Sequence, residues 1–256
     1  MKKLLGLVLA CIVLCLAFQV TCGVSHATPF LSVEVPSTGE EVVCSEDGTA
    51  SVDTTTGRLN WDRTWLSLGS QLSFDVEFGM HYVGSAPANT LFGTSGWRCN
   101  YDVRMNWTGL IPPTLDLVTP RGVTVPFGYN AGTGMWDSAA SYGMFLYCSV
   151  LSSPLRFILY DRWGNYLTFN SAGKITSVVD RLGRTISMTY NPVGNLRYVT
   201  DSWGRSIEFM YDATPRVIAI RDVVAGTAYL TFTYTGGYLT NVRSGYASGA
   251  LFANFT

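Results

Sequence analysis

Hydrophobic and polar residues alternate in short runs along this chain, and four such runs follow one another at similar spacing. The runs are 167–171, Ile186–Tyr190, Ile207–Tyr211 and Leu230–Tyr234. Alternate residues of a strand point to the same face. In the four runs this phase is apolar or aromatic everywhere except Ser171, whereas the other phase is mostly Thr, Ser, Asn and Glu. The pattern predicts strands with one dry face and one wet face.

An aspartate and a glycine mark a turn before each run. The pairs are Asp161 and Gly164, Asp180 and Gly183, Asp201 and Gly204, and, more loosely spaced, Asp222 and Gly226. An aspartate side chain accepts a hydrogen bond from the backbone two residues on, and glycine supplies a positive φ without steric cost. A turn and a strand recurring about every 20 residues predict stacked repeats that bury a shared apolar face.

A second interruption follows each run, and it precedes two aliphatic residues spaced by three. The interruptions are Gly173, Gly194, Pro215 and Gly237, and the aliphatic pairs are Ile175 and Val178, Leu196 and Val199, Val217 and Ile220, and Leu239 and Val242. A spacing of three breaks the strand period of two, so a β-bulge or a bend is expected there.

The part of the chain before residue 161 also favours strands. Alternation predicts long strands over 72–82 and 97–107, and shorter strands at 115–117, 123–127, 144–150 and 155–160. Residues 28–50 are poorly patterned, and Glu40–Glu41 and Ser45–Gly48 are expected to be exposed loop. No stretch after the N-terminal apolar run has the helical period, so the fold is predicted to be almost wholly β.

These motifs resemble the Rhs/YD-repeat family, in which a D-x-x-G-R turn, a short strand, Y-D or Y-N, and a G-x-L-x-x-V segment recur. The matching residues are Asp180, Gly183, Arg184, Tyr190, Asn191, Gly194, Leu196 and Val199, and in the next unit Asp201, Gly204, Arg205, Tyr211, Asp212, Val217 and Ile220. The unit at Asp161 departs from the motif at Asn165 and Ser171, and the unit at Asp222 loses the D-x-x-G spacing. Thr56, Gly57 and Leu59, with Gly96, Trp97 and Tyr101, are similar to the domain that precedes such repeats.

The resemblance implies an all-β fold, in which an N-terminal β-domain is followed by stacked hairpin repeats in a curved, open antiparallel sheet. The expected organisation is a signal peptide at 1–27, the N-terminal domain at 28–110, irregular lead-in strands at 111–160, YD-type repeats at 161–243, and an incomplete repeat or frayed end at 244–256. An open strand edge invites pairing, so the expected partners are a further YD-repeat segment or a second copy at the C-terminal edge.

The N-terminus has the pattern of a secretory signal. Lys2 and Lys3 precede an apolar run over 4–20, and Ser25 and Ala27 form a small-x-small cleavage site. The alternatives are an uncleaved anchor and a lipoprotein at Cys22. Cleavage predicts a secreted, periplasmic or cell-surface protein without a membrane span.

Composition and charge exclude some functions. Charged residues make up 14% of the 256 residues and the formal net charge is −1, and without a basic patch, nucleic-acid binding is not expected. Cys44, Cys99 and Cys148 remain after signal removal. Cys44 and Cys99 could form a disulfide, or Cys99 could be a buried free thiol.

No residue is predicted to be catalytic, to bind a cofactor or to hold a metal. The mature chain has a single histidine, His81, on the polar phase of its strand, where a solvent-facing side chain is expected. Asp161, Asp180, Asp201 and Asp222 could be imagined as calcium ligands, but glycine and arginine beside them favour a role in turns.

Aromatic residues are the remaining candidates for a site. Trp163 and Trp203 occupy equivalent positions, with Leu182 between them, and Tyr190, Tyr211 and Tyr234 form another row. Stacked aromatics could bind sugar rings, although packing in the core is the favoured interpretation. The main hypothesis is a structural and interaction module without catalysis, and the alternative is a carbohydrate-binding module that uses Trp163 and Trp203.

Overall fold

A computed structural model describes most of the chain beyond the N-terminus. The described residues are 40–45, 48–53, 58–68, 74–84, 90–94, 96–109, 113–138, 146–152, 154–245 and 251–255. The predicted signal peptide at 1–27 lies outside them.

These ranges form twenty β-strands and one short 3₁₀ helix, Thr90–Phe92. The strands are β1 Glu40–Ser45, β2 Gly48–Asp53, β3 Arg58–Ser67, β4 Glu77–Val83, β5 Trp97–Cys99, β6 Arg104–Trp107, β7 Leu115–Val118, β8 Thr124–Asn130, β9 Met135–Ser138, β10 Tyr147–Ser152, β11 Leu155–Tyr160, β12 Tyr166–Phe169, β13 Ile175–Val179, β14 Thr185–Tyr190, β15 Leu196–Asp201, β16 Ser206–Tyr211, β17 Val217–Asp222, β18 Ala228–Thr235, β19 Tyr238–Ser244 and β20 Leu251–Asn254.

The strands form two antiparallel sheets in which neighbours in the chain are neighbours in space. Strands β1 to β5 make a five-stranded sheet, and β6 to β20 make a fifteen-stranded sheet. Short connections suit antiparallel neighbours, because two such strands can be joined by a tight turn. The prediction of an all-β fold with a large antiparallel sheet is confirmed for the described residues, which contain no α-helix.

The predicted break in the strand period is a shift in register. Thr168 pairs with Ser177, but the next residue, Phe169, pairs with Ile175. The same shift lies between Thr189 and Tyr190, between Met210 and Tyr211, and between Thr233 and Tyr234. The second strand therefore has one extra residue that has no partner on the first strand, as in a β-bulge. This explains the three-residue spacing of the aliphatic pairs.

One face of the large sheet lies in the core. Leu167, Ile186, Ile207 and Leu230 are at most 1% exposed, as the alternation predicts. Burial of one such side chain contributes roughly 1.5–3 kcal/mol of hydrophobic free energy. The repeated apolar phase is thus a main source of stability.

The N-terminal sheet covers part of this face. The ring of Phe78 in β4 lies 5.8 Å from that of Phe209 and 6.0 Å from that of Phe232, and both contacts are edge-to-face. Phe92 packs on Phe232 as well, at 5.6 Å. Both sheets therefore contribute to a single hydrophobic core.

Two backbone contacts join the early part of the chain to the turns of the large sheet. The amide of Met105 in β6 donates to the carbonyl of Gly173 at 2.8 Å, and the amide of Thr94 donates to that of Gly237 at 3.0 Å. Both glycines have a positive φ. A Cβ at Gly173 would lie 1.8 Å from the Met105 carbonyl oxygen, so only glycine allows this approach.

Two strand predictions are wrong in extent. Residues 97–107 form two strands in different sheets instead of one, because the chain turns at Asn100, whose side chain binds the Gly79 amide and the Glu77 carbonyl at 3.2 and 2.8 Å. The strand predicted over 72–82 begins only at Glu77. The large sheet accordingly starts at β6, before residue 111, where the lead-in strands are predicted to begin.

Other differences concern strands that the sequence hides. Residues 40–45 and 48–53 form β1 and β2, although exposed loop is predicted at Glu40–Glu41 and Ser45–Gly48. Strand β9 at Met135–Ser138 was not predicted, since its four residues are too few to display alternation. In the segment interpreted as an incomplete repeat or frayed end, Leu251–Asn254 form β20 and pair with β19.

Candidate interaction surface

The turns of the large sheet form two rims, because antiparallel strands reverse alternately at each end. We call the turns 161–165, 180–184, 201–205 and 222–227 the tryptophan rim, and the turns 170–174, 191–195, 212–216 and 235–237 the opposite rim. The first three turns of the tryptophan rim share one hydrogen-bond pattern, described next.

The aspartate that opens each turn binds the backbone of that turn. Oδ1 of Asp161 accepts from the amides of Trp163 and Asn165 at 2.8 and 2.9 Å. Asp180 binds the amides of Leu182 and Arg184, and Asp201 those of Trp203 and Arg205, at 2.8 to 3.0 Å. The predicted turn chemistry is confirmed.

Arginine completes two of these turns. Nε of Arg184 donates to Oδ2 of Asp180 at 2.6 Å, and Nε of Arg205 donates to Oδ2 of Asp201 at 2.7 Å. Burial acts to raise the pKa of Asp180, but the hydrogen bonds from Arg184 and Leu182 lower it below its ordinary value. The oxygens of Asp180 and Asp201 are thus engaged with amides and arginine of their own turns, which makes these carboxylates poor candidates for calcium ligands. In the described residues, no group of His, Cys, Asp and Glu is arranged to hold a metal ion.

Neighbouring turns of the tryptophan rim are tied to each other. Oδ1 of Asn165, which replaces the motif arginine, accepts from the amide of Arg181 in the next turn at 3.0 Å. The Ser202 hydroxyl binds the amide of Thr185 at 2.6 Å and its carbonyl at 3.1 Å. Each turn from Asp161 to Arg205 is thus fixed relative to the next.

The three tyrosines of the repeats are structural. The hydroxyls of Tyr190, Tyr211 and Tyr234 each donate, at 2.6 Å, to the carbonyl of Ile175, Leu196 and Val217, respectively. Each of these carbonyls belongs to the first residue of a strand, β13, β15 or β17, in the hairpin before the tyrosine. Burial raises the pKa of all three hydroxyls, which keeps them neutral donors.

The outer face of the large sheet carries a buried charge cluster. Glu208 is 4% exposed and accepts hydrogen bonds from Arg197 at 3.3 Å and from Nε of Arg221 at 2.6 Å. Burial acts to raise the pKa of Glu208, but the bonds from Arg221, Tyr198 and Arg197 lower it overall. Both arginines are paired with the same carboxylate, so the cluster has a structural role.

The tips of the tryptophan rim are exposed and apolar. Trp163 is 61% exposed, Leu182 72%, Trp203 54% and Val224 89%. The prediction that Trp163 and Trp203 pack in the core is therefore wrong. Each residue is the third of its turn, where the chain reverses and the in–out phase of the strand no longer applies. The sequence pattern places Trp163, Leu182 and Trp203 at equivalent positions, but it carries no sign that the turn directs them outward.

A guanidinium lies over each exposed indole. Cζ of Arg162 is 4.5 Å from the ring centroid of Trp163, and Cζ of Arg205 is 5.1 Å from that of Trp203. Both distances are in the range of cation–π attraction. One face of each indole is therefore already occupied.

A shallow cleft of about 260 Å³ adjoins Trp203 and is lined also by Leu68, Arg205, Ser206, Asp222 and Tyr229. Its polar groups are bound to protein groups: Tyr229 donates to Asp222, and the Ser206 hydroxyl lies 2.8 Å from that of Thr200. A sugar in this cleft would have to compete for these donors and acceptors.

His81 is not solvent-facing, which corrects the prediction. Its side chain is 16% exposed, and Nδ1 lies 2.5 Å from Oδ1 of Asp62. Arg121, from the turn between β7 and β8, binds Oδ2 of the same carboxylate at 2.7 Å. His81 Nε2 is buried and has no hydrogen-bond partner. The group bridges the two sheets. No sequence pattern predicts it, because Asp62 and Arg121 are far from His81 in the chain.

The two described cysteines, Cys99 and Cys148, are buried free thiols. Burial raises the pKa of each to about 12, so neither is a reactive thiolate. The pairing of Cys99 with Cys44 is thus not formed, and the side chain of Cys44 lies outside the described residues.

No family model matches the chain, and none of the curated proteins matches it significantly. Among the described residues, no helix has both the length and the apolar character needed to cross a membrane.

Proposed function

We propose that this protein is a structural and interaction module of the Rhs/YD-repeat type that acts outside the cell or at the cell surface. The observation that carries the proposal is the use of the motif residues: Asp161, Asp180 and Asp201 bind their own turns, and Tyr190 and Tyr211 bind neighbouring strands. The polar groups of the motif thus hold the turns and strands of this fold together. The extracellular location rests on the signal pattern in residues 1–27.

A module of this kind works by contact, and the edge of β20 offers one route. Within the described part of the large sheet, β20 pairs with β19 alone. An edge strand presents unpaired N–H and C=O groups to another strand. We propose that β20 pairs with a further repeat segment or with a second copy of this chain.

Sedimentation velocity over a wide concentration range tests this edge. The amide of Phe255 bonds to the Thr240 carbonyl at 2.8 Å, so the preceding amide, that of Asn254, faces the open side. Wild-type protein is expected to self-associate, and Asn254→Pro, which removes the outward amide, to remain monomeric. Asn254→Ala keeps the amide and is the matched control. A wild-type protein that stays monomeric at every concentration would contradict pairing with a second copy.

We propose no catalytic role. In support, the ionisable side chains at the candidate positions are engaged with protein groups: the turn aspartates with backbone amides, Glu208 with Arg221, and His81 with Asp62. Turnover of any substrate by purified protein, lost on substitution of His81, would overturn this part.

The second candidate is carbohydrate binding at Trp163 and Trp203, which their exposure favours. The arginine over each ring and the paired polar groups beside Trp203 weaken it. A glycan array tests it: a positive signal that disappears in the variants Trp163→Ala and Trp203→Ala would support sugar binding. An empty array would remove this candidate.

A further inference from the structure

The two rims of the large sheet share a turn scaffold but differ in the chemistry of their tips. On the tryptophan rim the exposed pairs are Arg162 and Trp163, Arg181 and Leu182, Ser202 and Trp203, and Val223 and Val224. On the opposite rim the tips are mostly small or polar, with Val193 the one large apolar side chain exposed in the turns 170–174, 191–195 and 212–216. The scaffold alone therefore does not require tryptophan, leucine and valine at these tips.

The first three turns of the tryptophan rim also conceal their negative charge. Asp161, Asp180 and Asp201 are 4 to 7% exposed and bind the amides of their turns. Arg162 and Arg181, by contrast, are exposed. The rim therefore exposes apolar side chains next to positive charge. It is complementary to a surface that has an anionic outer layer over an apolar interior.

The tips form a narrow row instead of a flat patch. Consecutive turns are two strands apart, which places their tips at intervals of roughly 9.6 Å, and the bonds of Asn165 and Ser202 hold the first three turns in line. A stable protein partner needs roughly 800 Å² of buried surface on each side, which a single row of tips does not offer. A fluid surface can accept such a row without matching its shape.

We infer that the tryptophan rim inserts into the interface of an anionic lipid bilayer. Trp163 and Trp203 would lie at the level of the headgroups, where indole rings are enriched, with Leu182 and Val224 reaching the acyl boundary. Arg162 and Arg181 would bind the acidic headgroups. The aliphatic tips favour lipid over sugar, since leucine and valine offer no aromatic face on which a sugar ring could stack. This inference names one surface for the proposed contact role and rests on that role.

The test uses the full chain with vesicles of phosphatidylcholine, alone or with one quarter phosphatidylserine, and with brominated acyl chains as a fluorescence quencher. Wild-type protein is expected to sediment with the anionic vesicles, less so at high salt, and its tryptophan fluorescence to be quenched. The double variant Trp163→Ser and Trp203→Ser is expected to bind these vesicles at least about tenfold more weakly than wild type. Val193→Ser, on the opposite rim, should bind within about twofold of wild type.

Several results would overturn the inference. One is a double variant that binds anionic vesicles as tightly as wild type, which would assign binding to the apolar segment 4–20 that every variant carries. Another is that the wild-type protein binds glycans but not vesicles, and that the double variant does not bind glycans. This result would assign the rim to sugar binding. Sedimentation velocity of the same proteins measures self-association independently of vesicle binding, because β20 is intact in all three. Failure of the membrane inference can therefore be told apart from failure of the proposed self-association.

Discussion

Arg205 donates a hydrogen bond to Asp75, which lies 130 residues earlier in the chain. The same guanidinium binds Oδ2 of Asp201 in its own turn at 2.7 Å and also donates to the carbonyl of Leu68. This motif arginine therefore fastens the tryptophan rim to the segment ahead of β4 by direct hydrogen bonds. Asp75 is 9% exposed, so this ion pair is largely shielded from water.

Loss of Arg205 should therefore cost more than loss of an arginine whose ion pair lies within a single turn. Arg205→Met leaves Asp75 and Asp201 without their guanidinium partner, and we expect it to lower the free energy of unfolding by about 3 kcal/mol. Arg216 pairs with Asp212 at 2.7 Å and covers Tyr234, so Arg216→Met should cost about 1 kcal/mol. Urea unfolding measures both, and equal losses would contradict the joining role of Arg205.

Gly173 and Gly183 allow two requirements for glycine in a turn to be compared: a positive φ, and space for another part of the backbone. Both have a positive φ, 70° and 80°. A Cβ at Gly183 would meet no atom within 4 Å, whereas one at Gly173 would collide with the Met105 carbonyl. Gly183→Ala should cost about 1–2 kcal/mol for the backbone conformation alone.

Gly173→Ala should cost clearly more, about 3 kcal/mol or above, because β6 must also move away from the turn. Thermal unfolding monitored by circular dichroism compares the two variants. If both melted at the same temperature, the close approach of Met105 to Gly173 would be contradicted.

The tyrosine hydroxyls offer a test of the links between hairpins. Tyr211→Phe removes the bond to the Leu196 carbonyl and leaves that half-buried acceptor unpaired, at a cost of about 1–2 kcal/mol. Tyr129 is 59% exposed, so Tyr129→Phe should change stability by less than about 0.5 kcal/mol. Chemical denaturation of the two variants would contradict the linking role if their midpoints were the same.

Stability should fall in acid as the turn carboxylates become protonated. Burial acts to raise the pKa of Asp212, but bonds from Arg216 and Thr214 lower it to about 2. The pKa values of Asp180 and Glu208 are lowered as well. A carboxyl group with a lowered folded pKa stabilises the fold above its unfolded pKa of about 4, and this contribution is lost as the pH falls toward the folded pKa. The free energy of unfolding should therefore be nearly level above about pH 5 and decline between about pH 4 and pH 2.

Asp212→Asn tests that origin. Asn191 opens the equivalent turn one hairpin earlier and accepts from the Asn195 amide at 2.8 Å, so the turn tolerates an amide. The variant should be less stable at neutral pH and should lose less on acidification than wild type. Urea unfolding at a series of pH values gives both slopes, and parallel slopes would contradict the role of Asp212.

The sequence predicted the periodic part of this fold well. The apolar phase from Leu167 to Phe232 and the turn aspartates follow from period-two alternation and from local side chain to backbone bonds, both of which are short-range. Even the bulge could be anticipated, because a spacing of three between Leu196 and Val199 is incompatible with a regular strand.

Long-range and turn-specific features escaped prediction. Alternation continues through Asn100 without any sign that its side chain binds Gly79 and turns the chain. The bridge from His81 to Asp62 and Arg121 joins residues with no pattern in common. Trp163 and Trp203 were assigned to the core because strand phase was extended into a turn. A rule that the third residue of each aspartate turn points outward would have corrected this.

The central claim is that the repeated runs bury one shared face, and adjacent residues of β14 test it most directly. Ile186 is fully buried and Ser187 is exposed, so thiol labelling of Ile186→Cys and Ser187→Cys, mapped by peptide mass, reports the two faces separately. Cys99 and Cys148 serve as buried references in the same sample. We predict rapid labelling at position 187 under native conditions, and labelling at position 186 only as slowly as at the two references. Equally rapid labelling at both positions, in variants with the circular dichroism spectrum of wild type, would contradict the account.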